Sequence, residues 1–306
     1  MSFLITGGTG FVGQYCIQAL KKLGRDQICL VRKKNSATDL GNQIEVDLTD
    51  RLATLKVLRS LKPEYIIHLA GDRQLRKEDL DNNLEFDTNF VMARNLLESS
   101  LDNSELKLFL SLGTCDEYGL AEPPFVESQI EMPNSQYGFG KFSFTNLIRE
   151  KKQNAGFPGL VLRPSVIYGP RQQNDMFLPA LINSLLRDEK FSMTDGNQTR
   201  DYIFVEDVVA AILKTLTLKN IPTTPIFNLG SGCSVTIKEL AIKVSNIIGG
   251  DRRNLLGFGE KSHLPNALMK YQVNIQKAST MLNWRPQTLI NDGLKLTIDY
   301  IKKSLK

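Results

Sequence analysis

The chain has 306 residues, 42% of them apolar, and a formal net charge of +5. That length suits one large domain or two unequal ones, and that apolar share excludes a disordered chain. No apolar run approaches the ~20 residues of a membrane span, no basic leader precedes the first apolar run, and no basic run exceeds Arg32-Lys33-Lys34. No membrane, signal peptide or nucleic-acid partner is therefore expected. Cys16, Cys29, Cys115 and Cys233 lie scattered without C-x-x-C pairing, which argues against a zinc site and a disulfide framework and fits a reducing cytoplasm.

Phe3-Leu4-Ile5 is a short apolar run, followed by Thr6-Gly7-Gly8-Thr9-Gly10-Phe11-Val12-Gly13 and then by helical spacing of apolar residues from Phe11 to Leu23. Strand, glycine turn and helix in that order suit a dinucleotide: Gly7, Gly10 and Gly13 permit the turn, the approach of a pyrophosphate and the packing of helix on strand. The helix start at Phe11 and Val12 offers N–H groups and a positive dipole end to the phosphates. Strands are expected at Gln27–Arg32, Ile44–Asp47, Tyr65–Ala70, Lys107–Leu112 and Gly159–Leu162. Helices are expected near Arg51–Leu61, Asn82–Ser100 and Gln136–Asn154. This alternation predicts an α/β fold, a Rossmann-type doubly wound parallel sheet that binds ligand beyond the carboxyl ends of its strands.

After Arg163 the pattern loosens at Pro164, Pro170 and Pro179. A helix follows at Met176–Leu186, then a polar turn over residues 194–198. A helix at Val205–Leu218 and the run Ile226–Leu229 return to the sheet. Helical stretches near Ile237–Ile248, Ile275–Leu282 and Ile290–Lys303 close the chain. The expected division is residues 1–165 with 205–229 for the dinucleotide, and 166–204 with 230–306 as a smaller substrate lobe across a cleft.

Arg32 and Lys33 end the second strand, where an acid would favour an unphosphorylated ribose; their charge favours a 2′-phosphate and so NADP(H), with NAD(H) as the alternative. Asp47, closing the third strand, is placed to accept a hydrogen bond from the adenine amino group, and Leu48, Leu69 and Ala70 are expected to bind the cofactor. Tyr137 and Lys141 are four apart and share a helix face, the geometry in which an ammonium stabilises a phenolate. Moving a tyrosine from pKa ~10 to near 7 requires about 4 kcal/mol of differential stabilisation. Thr114, just past the fifth strand, offers a hydroxyl to the same substrate oxygen. Cys115 has no histidine partner and is expected as filler. With only His68 and His263 in the chain, a triad or a histidine metal site is hard to build, and His68 is expected as a buried, hydrogen-bonded strand end.

These residues resemble the extended short-chain dehydrogenase/reductases, the branch of nucleotide-sugar epimerases, dehydratases and ketoreductases. The likeness runs from the glycine turn through Asp47-Leu48-Thr49-Asp50, His68-Leu69-Ala70, Thr88-Asn89, Tyr118-Gly119, Pro133 to Lys141, Leu162-Arg163-Pro164, Tyr168-Gly169-Pro170, Arg200-Asp201-Tyr202 and Asn228–Gly232 to Leu282–Pro286. It implies Thr114, Tyr137 and Lys141 as catalytic residues, Lys141 also touching cofactor, and Arg200 as the grip on a substrate diphosphate. It implies a homodimer pairing two long helices, with Asn82–Ser100 and Gln136–Asn154 as candidates. Two departures stand out. Val166 occupies a position where many relatives carry a sugar-nucleotide asparagine. The turn after Thr114 reads Cys115-Asp116-Glu117 rather than Asp-Glu directly. That turn looks more like GDP-4-keto-6-deoxymannose reductases, with Asp116 at the substrate. The leading expectation is thus NADP(H)-dependent reduction of a 4-keto-6-deoxyhexose nucleotide. A 4-epimerase or 4,6-dehydratase stands as the alternative, and a non-catalytic dinucleotide-binding regulator as the alternative of another class.

Overall fold

Runs too apolar for water on either side become the strands of one sheet. In the computed structural model, which describes residues 2–34, 40–71, 84–263 and 267–305, the first half of the chain alternates as expected. It runs β1 (Phe3–Thr6), α1 (Phe11–Lys22), β2 (Gln27–Val31), β3 (Asn42–Glu45), α2 (Arg51–Leu61), β4 (Tyr65–His68), α3 (Leu84–Ser100), β5 (Leu108–Leu112), α4 (Gln136–Ala155) and β6 (Gly159–Pro164). The second half adds β7 (Val166–Tyr168), α5 (Phe177–Leu186), β8 (Phe191–Ser192), β9 (Thr199–Phe204), α6 (Val205–Thr215) and β10 (Ile226–Leu229). It closes with β11 (Ser234–Thr236), α7 (Ile237–Ile248), β12 (Leu256–Gly257), α8 (Gln276–Met281) and α9 (Ile290–Ser304).

Seven strands form the main sheet in the order β10-β6-β5-β4-β1-β2-β3. Pairing is parallel from β3 across to β6, with Ile5 opposite Cys29 and Ile67, and Ile67 opposite Leu110. The order reverses beside β1, the switch point where such sheets bind ligands. Within the first compact unit, residues 1–121, 127–163 and 211–227, the core joins Leu4, Ile66 and Phe109 of the sheet to Leu58, Leu96 and Ile148 of the helices. Truncating any of these to alanine should cost about 2–5 kcal/mol. Local signals start the helices: Asp50 caps α2 by accepting from Ala53 N, and Ser135 caps α4 by accepting from Gly138 N.

The second unit comprises residues 122–126, 164–210 and 228–306. Its core gathers Tyr168, Leu181, Ile182, Phe204, Leu240, Val244 and Ile298, and it carries a three-stranded sheet in the order β11-β9-β7.

Three expectations change. The third strand spans Asn42–Glu45, so Asp47 lies beyond it, where its carboxylate accepts the Thr49 N–H and hydroxyl at 2.9 and 2.7 Å and folds the chain into a turn. The fourth strand ends at His68, leaving Leu69 and Ala70 just past its carboxyl end. Arg200, in a stretch where no strand is expected, lies in β9, and the helix begins at Val205. The polar start of β9 hides a strand because Asp201 is buried in the second unit and its acceptors are filled by Ser231, Gly232 and Val273 N–H groups. Of the expected helix Asn82–Ser100, residues 82 and 83 lie outside the described residues.

Candidate active site

The glycine turn is shaped by what is missing from it. Gly10 N donates to Gly7 O at 2.9 Å, closing the turn, and Gly7 holds φ at 73°, a region that disfavours side chains. A Cβ on Gly13 would sit 2.1 Å from Gly7 O, and one on Gly7 would sit 2.5 Å from Ala70 N. Strand, turn and helix therefore meet at van der Waals distance, with Leu69 and Ala70 directly against Gly7. No side chain caps α1, which starts from Gly10 in extended conformation. The first-turn N–H groups of Phe11, Val12 and Gly13 are thus presented as a pyrophosphate requires, although the Val12 side chain itself is in the core. The residues fit a dinucleotide.

At the adenosine end, Arg32 and Lys33 are exposed. Thr49's hydroxyl and N–H hold the Asp47 carboxyl below the usual range, against burial, and the Arg32 charge adds to the effect. Leu48 points its side chain into the core, and its carbonyl accepts the Asn95 amide at 2.9 Å.

The chemistry-bearing residues converge where β5 ends. Thr114 leads from β5 into a 3-10 turn, Cys115–Glu117, as its N-cap: its Oγ1 accepts from Asp116 N at 3.2 Å, which leaves the hydroxyl hydrogen to donate. Helix α4 packs on this turn, and Gly138 allows it, since a Cβ there would lie 2.7 Å from Asp116 O. Tyr137, half-buried in the first turn of α4, is the residue before that contact. One turn further, Lys141 is buried and its Nζ donates to Leu112 O at 3.1 Å, at the end of β5. The ammonium lies against Gly71 and near Asn89 Oδ1, both 3.0 Å from where a Gly71 Cβ would stand. Burial lowers the Lys141 pKa to about 8, and the Glu117 charge opposes the shift.

Glu117 itself is a part that sequence reasoning placed only on the turn. It is fully buried: Oε1 accepts Thr114 N at 3.0 Å, and Oε2 accepts Arg163 Nε at 2.9 Å and Nη2 at 2.6 Å. Arg163 reaches on to Glu131 at 2.8 Å and stacks 4.7 Å above the Tyr118 ring. The one sequence signal was an arginine inside an otherwise apolar sixth strand, which must find an acid.

His68 is buried with Nδ1 at 2.7 Å from Thr6 Oγ1, and burial pushes its pKa down to about 3, so the ring is neutral. The Cys115 thiol is also buried and donates to Arg163 O at 3.2 Å. Arg200, in the second unit, donates from Nη1 to Thr199 O and Leu268 O at 2.7 and 2.9 Å and lies 5.7 Å over Tyr271. Among the described residues no group of three metal-ligating side chains occurs, and no helix is long and apolar enough to cross a membrane.

Comparison with known proteins bears on this arrangement. Residues 3–230 match the model of the NAD dependent epimerase/dehydratase family. The chain is 26% identical to the UDP-glucose 4-epimerase of Thermotoga maritima, whose structure with UDP-glucose it matches with a TM-score of 0.90 over 100% of both chains. It is 25% identical to the UDP-glucuronic acid 4-epimerase of Bacillus cereus, solved with UDP-glucuronic acid and NAD, with a TM-score of 0.87 over 99% of this chain and 100% of the other. It is also 24% identical to the dTDP-glucose 4,6-dehydratase of Haemophilus influenzae over 98% of this chain and 97% of that protein. These relatives are epimerases and a dehydratase, so they support the alternative reading over the keto-sugar reductase expected from the Thr114 turn. The chain belongs to the NAD dependent epimerase/dehydratase family and to its enzymes.

Proposed function

We propose that this protein is a nucleotide-sugar 4-epimerase, acting on a UDP- or dTDP-hexose with a bound nicotinamide dinucleotide. The backbone of Gly7–Gly13 holds the pyrophosphate, Asp47 and Leu48 N–H the adenine, Leu69 and Ala70 the length of the cofactor, and Lys141 its ribose. A nicotinamide held there would supply reversible hydride transfer at C4 of the sugar. Tyr137 takes the proton of the C4 hydroxyl as its phenolate, and Lys141, one helical turn away, stabilises that anion. Thr114 donates its remaining hydroxyl hydrogen to the same oxygen. Once the 4-keto sugar has turned its other face, Tyr137 gives the proton back and the configuration is inverted. Arg200 binds the diphosphate of the sugar nucleotide.

The observation that favours epimerisation over dehydration is the state of Glu117. Loss of water across C5 and C6 requires a base and an acid beside the sugar, and Glu117 is fully occupied by Thr114 N and Arg163. Asp116 would have to do both. Epimerisation needs neither. Offering UDP-glucose, UDP-glucuronic acid and dTDP-glucose separately, with product mass and sugar NMR as readouts, tests this: inversion at C4 without change of mass is expected, and loss of one water makes the protein a dehydratase.

For the cofactor we favour NAD(H), as in the B. cereus relative. Arg32 is solvated and shares its field with Asp47, so a 2′-phosphate would meet an anion as well as a cation. NADP(H), expected from charge alone, is then tolerated rather than preferred.

A further inference from the structure

We infer that Glu117 is a positioning residue of the reaction: its buried carboxylate ties the Thr114 N–H to the Arg163 guanidinium and so fixes where the Thr114 hydroxyl points. This rests on the reading of Thr114, Tyr137 and Lys141 as the reacting constellation. Thr114 is held at two points, through its N–H by Glu117 Oε1 at 3.0 Å and through its Oγ1 by Asp116 N at 3.2 Å. A hydroxyl whose backbone and oxygen are both fixed has one direction left for its hydrogen. Glu117 is in turn held by two bonds from Arg163, and both side chains are fully buried. Arg163 is braced by Glu131, which also accepts from Arg149 Nη2 at 2.6 Å.

Such a pair is a poor device for stability alone. Desolvation of two buried ions consumes most of their attraction, and well-packed apolar groups of the same volume serve a fold as well or better. Arg163 even keeps one buried nitrogen, Nη1, without a hydrogen-bond partner. What the pair adds is direction: charge-assisted, forked bonds that hold a turn to a fraction of an ångström.

Glu117 also bears, through its charge, on the second partner of the site. The groups that bear on Lys141 are the neutral His68 of β4, the uncharged Leu112 O, Asn89 at the same Gly71 position and the Glu117 charge, with Tyr137 one turn before it on α4. The Glu117 charge opposes the effect of burial on the Lys141 ammonium. One carboxylate thus supports the hydroxyl donor and the cation that a phenolate requires.

The test is a double-mutant cycle of Glu117→Gln and Thr114→Ala in the full-length protein with cofactor, read as kcat, KM, cofactor Kd and the pH dependence of kcat/KM. Glu117→Gln keeps the shape and loses the charge. We expect kcat to fall 10- to 100-fold with KM and cofactor Kd within twofold, and the alkaline limb of kcat/KM to move to lower pH. In the Thr114→Ala background the same substitution should cost less than threefold at the pH optimum, because the part that passes through Thr114 is gone, while the shift of the alkaline limb, which passes through Lys141, remains. An equal loss in both backgrounds, or an unmoved limb, overturns the inference. If Thr114→Ala alone leaves an active wild type unchanged, or wild type turns over no sugar nucleotide, the reading of the site fails instead. Should Glu117→Gln not fold, Arg163→Lys keeps the positive charge but loses the fork, and must show the same non-additive loss.

Discussion

Two turns beside the same sheet are built by opposite means. The cofactor turn after β1 works by omission: Gly7 and Gly13 carry no Cβ, and backbone meets backbone within contact distance. The turn after β5 works by filling: Glu117, Arg163 and Tyr118 pack a charged network into a space sealed from water. A cradle for phosphates has to be open and lined with N–H groups, which favours residues without side chains. A turn that aims one hydroxyl has to be rigid, which favours side chains locked by directional bonds. The first tolerates no addition, and the second no subtraction.

The largest effects should come from the reacting groups. Tyr137→Phe removes the proton acceptor while leaving the ring in place, and should lower kcat by ~10²–10⁴-fold with cofactor binding intact. Steady-state kinetics beside a cofactor titration checks both halves. Gly13→Ala tests the cofactor turn: its Cβ would overlap Gly7 O at 2.1 Å, so the turn must open. Cofactor affinity should drop at least 100-fold, measured by calorimetry, while a conservative apolar change in the α1 core such as Ile17→Val should leave it unaltered.

The difference between the turns also explains what was legible beforehand. Glycines three residues apart and a tyrosine four before a lysine are local patterns, visible on one helix or one turn. The partner of Glu117 is 46 positions away on β6, and only the parallel pairing of β5 with β6 brings Arg163 beneath the Thr114 turn. No spacing rule reports such a contact. β9 was missed for a related reason. Thr199, Arg200 and Asp201 look like loop, yet Asp201 is buried because backbone N–H groups from two distant segments converge on it. Burial pushes its carboxyl up, and those donors pull it down.

Arg200 gives a smaller and more specific effect. One guanidinium nitrogen is committed to backbone carbonyls, so the side chain is already oriented, and a charge-assisted contact to phosphate is worth about 1.5–3 kcal/mol. Arg200→Ala should raise the KM for the sugar nucleotide at least tenfold and leave cofactor Kd unchanged.

Lys141 supplies a pH signature with two signs. Burial depresses its pKa from 10.5 to about 8, so the folded state is penalised while the lysine is charged and relieved as it neutralises. The contribution to stability therefore rises between about pH 8 and 10.5. Activity moves the other way, because a neutral lysine no longer supports the Tyr137 phenolate. kcat/KM, which reports the free enzyme, should fall above about pH 8. The smallest effect is at the cofactor's far end: Arg32→Ala should weaken NADP(H) only a few-fold, as befits a solvated contact, and leave NAD(H) binding unchanged.

Epimerisation at C4 requires that hydrogen leave C4 of a nucleotide sugar and return to C4 on the opposite face. A UDP-hexose carrying deuterium at C4, incubated in ordinary water with the protein and a catalytic quantity of NAD, tests it in one NMR and mass measurement. The expected product is the C4 epimer with deuterium still on C4 and no change in mass. Deuterium found at C6 with a water lost, or on a stoichiometrically reduced cofactor, would contradict it.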